Sequence, residues 1–246
     1  MNPPPAFSEQ QAREQIVAVC QRLDGLDLNS GRAGNMSLAW SRGARDGMLI
    51  TPSAMSYEHM SADDVVWMPL APLPGEADAA DDATHPVEQF GEHPASSEWR
   101  MHRALLSHAR APDGACVLHL HSPYASTLAC LPRVQHEGIP AFHYMVAAAG
   151  GDDIRCAPYE TFGTQALSDA LLPAIQDRHA CLLAHHGMIV RGASPAHALE
   201  RARELEWLAR VYWQALQVGE PAVLDTARMR AVHARFAASA YRAPEG

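Results

Sequence analysis

Residues 96–121, SSEWRMHRALLSHARAPDGACVLHLH, decide the fold class of this sequence. The first half has the pattern of an amphipathic helix that begins after a serine, with Glu98 in its first turn. The second half, Cys116–His121, is a short apolar run typical of a buried strand. A helix that leads directly into a buried strand predicts an α/β fold.

The segments on either side extend this α/β pattern. Residues 8–24 place apolar side chains on one helical stripe behind a serine, and residues 47–51 predict a short strand that ends at Pro52. Downstream, residues 181–190 (CLLAHHGMIV) predict a second apolar strand, interrupted by two adjacent histidines. Residues 195–217 have the longest helical pattern. We therefore expect helices that cover a sheet.

Composition limits both the size and the function class. The 246 residues are 48% hydrophobic, enough for a full core, so we expect residues 1–246 to form a single domain. The net charge is -9 and the basic residues are scattered, which argues against nucleic acid or an anionic membrane as a partner. All 19 basic residues are arginine, which excludes a lysine Schiff base, a pyridoxal phosphate linkage and a P-loop lysine.

The cellular location is inferred from segments that the sequence does not contain. It has no apolar run long enough to cross a bilayer, and its first residues lack the pattern of a signal peptide. The five cysteines are widely separated and form no Cys-x-x-Cys pair, so neither a disulfide framework nor a cysteine-rich zinc site is indicated. A cytoplasmic protein is expected.

His119 and His121 flank one residue of the predicted strand. Strand alternation places both imidazoles on one face, with Cα atoms about 6–7 Å apart, so two nitrogens can bind one metal ion. Two buried histidines hydrogen-bonded to backbone carbonyls would give the same pattern. The pair alone leaves a metal site and a structural role open.

A second pair, His185-His186, favours the metal site. Neighbouring residues on a strand point to opposite faces, so one of the two can turn inward and complete a set of three histidines. Three histidines with an open fourth position are typical of catalytic zinc, and Co²⁺, Mn²⁺ or Fe²⁺ also suit these ligands. Strand alternation does not choose between His185 and His186.

Two segments have the features of a phosphate site. Glu98 follows two serines at the start of a helix, where hydroxyls and backbone N–H groups can hold an anion, although a capping box gives the same pattern. The turn at residues 31–35, GRAGN, can cradle a phosphate with its N–H groups or only reverse the chain. Neither segment is decisive alone.

Taken in order, these motifs resemble those of the class II aldolase and adducin family. The matching stretches are GRAGNMSLAW (31–40), DGMLITPSAMSYEHM (46–60), SSEWRMHRAL (96–105), VLHLHSPYASTLA (117–129), IPAFHYMVAAAGG (139–151), IRCAPYETFGTQALS (154–168), LLAHHGMIVRG (182–192) and LARVYWQAL (208–216). The resemblance implies a three-layer α/β/α fold with a central, mainly antiparallel sheet. It also implies a four-fold symmetric homotetramer with active sites at the subunit interfaces.

The resemblance assigns roles to individual residues. It implies one Zn²⁺ per subunit, with ligands that match His119, His121 and His186. Glu98 matches the catalytic acid/base, and Tyr144 is similar to a tyrosine that reaches a neighbouring subunit's site and protonates the aldehyde oxygen. The phosphate-binding positions match Asn35, Ser53, Ser96, Ser97 and the backbone N–H of Ala54.

Elementary chemistry agrees with an aldolase. Cleaving a carbon–carbon bond beside a ketone leaves an enediolate, and without lysine the remaining way to stabilise its charge is a Lewis-acid metal. The resemblance implies that the substrate is a ketose-1-phosphate, either L-fuculose-1-phosphate or a related deoxypentulose phosphate. We expect its reversible cleavage to dihydroxyacetone phosphate and a short aldehyde.

Other functions occur on the same fold. Epimerases, dehydratases and decarboxylases of sugar phosphates share it, and adducin keeps it as a non-catalytic interaction module. Glu98 and Tyr144 favour the aldolase over the epimerase, and the three histidines argue against the non-catalytic module. A dinuclear metallohydrolase would need an Asp-His pair that does not follow HLHSPY.

Several positions depart from the family pattern. Ala54 stands where these aldolases often have glycine, so the phosphate loop is expected to differ in backbone geometry. Arg32 stands where the aldolase has a small residue and can contact phosphate, narrow the aldehyde pocket or be solvated. Residues 71–97, rich in proline and acidic residues, predict an exposed mobile loop. The C-terminal tail, residues 225–246, contains Tyr241 near the place of a tyrosine that closes the active site, but the spacing does not match cleanly.

Overall fold

The computed structural model contains both helices and strands and describes residues 7–29, 33–71, 88–108 and 115–238. The helices are α1 (Glu9–Leu23), α2 (Trp99–Ser107), α3 (Pro123–Ala129), α4 (Pro132–Glu137), α5 (Gln165–Ile175), α6 (Pro195–Val218) and α7 (Thr226–Ala238). The strands are β1 (Asn35–Ala39), β2 (Gly47–Ile50), β3 (Val66–Pro69), β4 (Cys116–Leu120), β5 (Ile139–Pro140), β6 (Asp153–Ile154), β7 (Cys156–Ala157), β8 (Ala180–Leu183) and β9 (Gly187–Gly192). Short 3-10 helices span Asp24–Leu26, Tyr57–His59, Ala62–Asp64 and Tyr144–Ala149.

The central sheet is mainly antiparallel. In the described residues seven strands form it, in the order β3-β2-β1-β4-β9-β8-β7, while β5 and β6 pair separately. Every neighbouring pair of the central sheet is antiparallel except β7 and β8. β4 lies in the middle, between β1 and β9, so residues at its end are close to several elements.

Helices cover both faces of this sheet. Helices α1, α3 and α6 pack on one face, where Leu118 and Leu120 contribute to the core. Helices α2 and α5 pack on the other face, where Val117 contributes. Because successive strand residues point to opposite faces, β4 supplies apolar side chains to both layers. The predicted three-layer α/β/α fold is confirmed.

The first and last predicted helices are confirmed, with caps that explain where they begin. The Ser8 hydroxyl accepts a hydrogen bond from the Gln11 N–H (3.2 Å), and the Gln11 side chain accepts from the Ser8 N–H (2.8 Å). This reciprocal capping box satisfies two backbone donors at the start of α1. At the start of α6 the Ser194 hydroxyl accepts from the His197 N–H (3.2 Å). The predicted strand at residues 47–51 is β2, which ends at Ile50.

The predicted strand over residues 181–190, interrupted by two adjacent histidines, is two strands in the structure. The segment forms a hairpin in which β8 ends at Leu183, β9 begins at Gly187, and Ala184, His185 and His186 make the turn. His185 adopts a left-handed conformation (φ 56°), which reverses the chain. A Cβ on Gly187 would lie 2.3 Å from the Leu120 carbonyl oxygen, so only glycine allows the turn to approach β4 this closely.

The segment predicted as a mobile loop and the C-terminal tail both contain ordered structure among the described residues. Phe90 exchanges backbone hydrogen bonds with Trp67 (3.0 and 2.8 Å), so the end of the acidic segment lies along β3. Residues 72–87 of that segment lie outside the described residues, as do Arg32 and Tyr241. Most of the expected tail forms α7, which buries Met229 against Ala141 and Ala147. Among the helices of the described chain, none has both the length and the apolar composition to cross a bilayer.

Candidate active site

Three histidines and one glutamate converge beside the end of β4. His119 lies on β4, His121 follows its last residue, His186 lies in the β8–β9 turn, and Glu98 precedes α2. The three imidazole centroids are 4.6–4.8 Å apart. One ligand atom from each of the four residues lies within 4.8 Å of the others, so the group could hold a metal ion. The structure therefore brings together the three histidines and the glutamate that the sequence indicated.

The hairpin turn decides which member of the His185-His186 pair joins the group. His186 Nε2 lies 3.3 Å from Glu98 Oε1. His185, with its left-handed backbone, turns away, and its Nε2 lies 2.9 Å from Gln135 Nε2. The choice that strand alternation left open follows from the turn conformation.

The surroundings of the three histidines favour their neutral forms. His119 Nδ1 donates to the Met188 carbonyl oxygen (2.9 Å), which leaves Nε2 with its lone pair, 2.9 Å from His121 Nε2. Burial, followed by repulsion from His121, lowers the pKa of His119 to about 3. Burial, followed by repulsion from His119, lowers the pKa of His186 to about 4, and burial also lowers the pKa of His121. Neutral imidazoles with an available nitrogen are the form that binds a metal.

Glu98 is a buried carboxylate with unused bonding capacity. Its Oε2 accepts from Asn35 Nδ2 (2.8 Å) and lies 3.3 Å from His119 Nε2. Its Oε1 is buried and accepts no hydrogen bond from any described residue. An unsatisfied buried acceptor costs about 1–3 kcal/mol, so this oxygen is an expensive feature unless a ligand uses it. Three imidazole nitrogens and one carboxylate oxygen are a donor set that fits a divalent metal.

The helix start beside this cluster differs slightly from the prediction. Helix α2 begins at Trp99, so Glu98 is its N-cap instead of a first-turn residue. In the described structure the Glu98 side chain makes no capping hydrogen bond, and its backbone N–H donates to the Ser96 hydroxyl (3.3 Å). The carboxylate is directed toward the histidines and not toward its own helix.

A cavity of about 450 Å³ opens beside the cluster. The predicted phosphate-binding residues all line it: Asn35, Ser53, Ala54, Ser96 and Ser97. Ala54 is left-handed (φ 55°), a conformation that glycine adopts more easily than alanine. No arginine or lysine contributes to the lining within the described residues. Among the described residues, this part of the cavity is lined by neutral hydroxyl and amide groups.

Sequence reasoning missed part of the cavity wall. Tyr159, Glu160 and Phe162, in the connection between β7 and α5, line it together with His185. Tyr159 and Phe162 are 59% and 65% exposed, unusually open for aromatic residues. These residues lie in the stretch IRCAPYETFGTQALS, but nothing in its local pattern indicates contact with the cavity.

His102 was also missed, although a sequence signal existed. It lies four residues after Glu98, a spacing that places two side chains on one face of a helix. The structure buries it completely and links it to Asn35, and burial lowers its pKa to about 3. His102 is therefore a neutral ring directly behind the cluster.

Tyr144 lies elsewhere on the same chain. It begins the 3-10 helix Tyr144–Ala149, is 48% exposed and does not line the 450 Å³ cavity of the described chain. It borders a second cavity of about 660 Å³, together with His143, Arg203 and Trp207. Within one chain the structure does not bring Tyr144 to the histidines.

Comparisons with known proteins agree with this arrangement. Residues 14–213 match the family model described as Class II Aldolase and Adducin N-terminal domain. The chain belongs to this family. The resemblance inferred from the motifs is confirmed.

Relatives of the family cover most of the chain. A 5-methylthioribulose-1-phosphate/5-deoxyribulose-1-phosphate aldolase from Rhodospirillum rubrum is 42% identical over 91% of this chain and 90% of its own length. An L-fuculose phosphate aldolase from Escherichia coli K12 is 39% identical over 84% of this chain and 85% of its own length. The solved structure of an L-fuculose 1-phosphate aldolase superposes with a TM-score of 0.77 at 31% identity, covering 92% of this chain and 96% of that one. The protein is accordingly a lyase of the class II aldolase type.

Proposed function

We propose that this protein is a zinc-dependent aldolase that reversibly cleaves a ketose-1-phosphate to dihydroxyacetone phosphate and a short aldehyde. The substrate is L-fuculose-1-phosphate or a related deoxypentulose phosphate, in keeping with the names of the relatives. The observation that carries the proposal is the group of three histidines and Glu98 beside a cavity lined with hydroxyls. We further propose that residues 1–246 act as one domain in the cytoplasm.

His119, His121 and His186 would hold the Zn²⁺, because their nitrogens converge and their rings are neutral. When bound, Zn²⁺ supplies a Lewis acid that stabilises negative charge on the oxygens next to the cleaved bond. The hydrogen bond from His119 Nδ1 to the Met188 carbonyl fixes that ring and makes its other nitrogen a better ligand.

Glu98 would move the proton at the carbon of dihydroxyacetone phosphate that forms the new bond. It is 7% exposed, which keeps water away from the carboxylate, and its Oε1 is not used by any described hydrogen-bond donor. Asn35 holds the other oxygen, so the side chain is oriented before substrate arrives. A positioned acid/base of this kind contributes about 10²–10⁴-fold to the rate.

The phosphate would serve as a handle that orients the reacting carbons. Ser53, Ser96 and Ser97 offer hydroxyls, Asn35 offers its amide, and Ala54 offers its backbone N–H. Helix α2 begins immediately after these serines, so its N-terminal dipole adds attraction for an anion. Binding energy gained on the phosphate can then be used to hold the cleaved bond in place.

Tyr144 would protonate the aldehyde oxygen in the site of a neighbouring subunit. Its 48% exposure, beside Trp207 at 46%, leaves an aromatic surface open on the single chain. Covering such a surface favours association. We propose a homotetramer with active sites at the subunit interfaces.

The test is condensation of dihydroxyacetone phosphate with a panel of aldehydes, with and without chelator, and with products identified by mass. Lactaldehyde, acetaldehyde and methylthioacetaldehyde correspond to fuculose phosphate, a 5-deoxypentulose phosphate and its methylthio analogue. Condensation that chelator abolishes and Zn²⁺ restores supports the proposal, and the rates rank the substrates. A protein that binds one metal per chain yet only epimerises, dehydrates or decarboxylates sugar phosphates would contradict it.

A further inference from the structure

We propose that His102 is a positioning residue for this reaction. Through Asn35 it fixes the orientation of Glu98 and of the amide that faces the phosphate end of the cavity. The inference rests on the proposed function, because it assigns to Glu98 and Asn35 the roles given above.

A continuous chain of hydrogen bonds connects the four residues. The Ser37 hydroxyl lies 2.7 Å from His102 Nδ1, and Asn35 Nδ2 lies 2.8 Å from Glu98 Oε2. Between them, His102 Nε2 is hydrogen-bonded to Asn35 Oδ1. Ser37 and His102 are completely buried and Asn35 is 4% exposed, so the chain runs through the interior.

The direction of each hydrogen bond follows from the carboxylate at the end of the chain. Ionised Glu98 can only accept, so Asn35 must present its NH₂ group to it and its Oδ1 to His102. Asn35 Oδ1 also can only accept, so the proton of the neutral His102 ring lies on Nε2. Nδ1 is then bare and accepts from the Ser37 hydroxyl. Only one assignment of amide and tautomer satisfies every group.

The fold places these side chains together by simple geometry. Asn35 and Ser37 are two residues apart on β1 and therefore point to the same face of the sheet, the face on which α2 packs. Asn35 is the register partner of His119 across β1 and β4. His102 thus reaches the residue that lies between the phosphate end of the cavity and the histidine cluster.

Loss of the His102 donor would release the Asn35 amide. If the amide turned over, its oxygen would face the Glu98 carboxylate and repel it, and the donor directed at the phosphate would be lost as well. Because Ser37 and His102 are completely buried, we expect no water to replace the missing donor at the position of His102 Nε2. The role is therefore separable from filling space, which an apolar ring could do equally well.

The experiment compares His102→Phe with His102→Gln in the zinc-loaded protein. Phenylalanine fills the space without a donor, whereas glutamine places an amide N–H near the position of Nε2. We expect His102→Phe to lower kcat about 10–100-fold with a smaller change in KM, as for other residues that orient a site. Titration calorimetry with inorganic phosphate should show about tenfold weaker binding, the equivalent of one lost hydrogen bond. His102→Gln should recover most of both losses.

Two further variants protect the interpretation. Leu106→Ala, on the same helix and buried in the apolar layer of α2, should lower the unfolding temperature without changing kcat or phosphate affinity more than about twofold. Ser37→Ala keeps the imidazole but removes the group that holds its tautomer, so it should show the same losses as His102→Phe to a smaller degree. It provides the readout if His102→Phe does not fold.

The inference is overturned if His102→Gln behaves like His102→Phe, or if neither His102→Phe nor Ser37→Ala exceeds the effect of Leu106→Ala. Phosphate affinity is measured independently of turnover. A wild-type protein without aldolase activity would contradict the proposed function, while the order of phosphate affinities among the variants would still decide the role of His102.

Discussion

The N-termini of α2 and α3 each lie beside a buried glutamate. The carboxylate beside α3 caps that helix, and the carboxylate beside α2 does not. At α3, Glu206 from α6 accepts from the Ser122 hydroxyl (2.6 Å), the Tyr124 N–H (2.8 Å) and the Ala125 N–H (3.0 Å). At α2, Glu98 makes no capping bond in the described structure, and its Oε1 has no described donor. Two similarly buried carboxylates, 9% and 7% exposed, are thus used differently.

The difference separates a structural carboxylate from one that is available for chemistry. Burial raises the pKa of Glu206, and the hydrogen bonds from Ser122, Tyr124 and Ala125 oppose that shift. Its described donors are two backbone N–H groups and one hydroxyl at the start of α3, so both of its carboxylate oxygens accept hydrogen bonds there. Helix α3 begins two residues after His121, so this cap also supports the backbone next to the cluster. Oε1 of Glu98 accepts no hydrogen bond from the described residues, whereas both oxygens of Glu206 accept hydrogen bonds at the start of α3.

Replacing Glu98 with glutamine should have the largest effect. Glu98→Gln keeps the shape but removes the acid/base, so we expect kcat to fall about 10²–10⁴-fold. Urea unfolding should show little loss of stability, because no capping bond is removed. A variant with cleavage rates within tenfold of wild type would remove Glu98 from the reaction.

The next largest effect is expected on metal retention. His186→Ala removes a proposed ligand and should weaken zinc binding by more than the roughly 10–100-fold typical of a residue behind the ligands. His185→Ala is the matched control, because His185 contacts Gln135. This variant should retain about one zinc per chain. Metal content after dialysis against a graded chelator provides the measurement. Equal losses in the two variants would contradict the assignment of His186.

For Glu206→Gln we expect the reverse of the Glu98 result. The glutamine NH₂ group would face a donor of α3, leaving one capping group unsatisfied, so the free energy of unfolding should fall by about 1–3 kcal/mol. Activity of the folded fraction should fall far less than in Glu98→Gln. Urea denaturation followed by circular dichroism, with steady-state rates on the same samples, distinguishes the two. If Glu206→Gln instead lost activity at unchanged stability, the contrast between the two carboxylates would fail.

The smallest effect is a pH dependence, for which Glu9 is the reference. Arg42 donates to Glu9 and lowers its pKa from the usual 4.5, so the stability that Glu9 contributes is present above that value and lost as the pH falls through the lowered pKa. For Glu206, whose pKa is raised, the pH dependence has the opposite sign. Its contribution to the free energy of unfolding falls as the pH rises from 4.5 through the raised pKa. For partly exposed Glu9 the amplitude should be below about 1 kcal/mol.

The measurement is urea unfolding from pH 3 to 8, a range that spans the usual glutamate pKa of 4.5, for wild type, Glu9→Gln and Glu206→Gln. Subtracting each variant from wild type isolates the contribution of one carboxylate. Difference curves with slopes of the same sign would show that one of the two environments has been assigned incorrectly.

Local pattern predicted much of this molecule. The stripe of residues 8–24, the apolar run CVLHLH and the helical pattern of residues 195–217 depend on neighbours in sequence, so α1, β4 and α6 appear where expected. The resemblance to the aldolase and adducin family supplied the layer order and the choice of His186. The convergence of the histidines with Glu98 followed from those two sources together.

The remaining features depend on contacts between distant segments. The inward turn of His186 requires the left-handed conformation of His185, which strand alternation does not describe. The cap on α3 joins Ser122 to Glu206, 84 residues apart, and no local pattern links them. The chain from Ser37 to Glu98 likewise exists only after β1 and α2 have packed together.

Two parts of the 450 Å³ cavity differ in how freely mutation can alter them. One is the wall formed by Tyr159, Glu160 and Phe162, and the other is the floor formed by His121 and His186. His121 directly follows the central strand β4 and His186 lies in the tight β8–β9 turn, so an insertion in either place would move a proposed ligand. Tyr159, Glu160 and Phe162 lie in the connection between β7 and α5, and their side chains are exposed. Mutation can alter this wall while leaving the floor intact. The residues of this wall and the proposed metal ligands can therefore change independently in evolution.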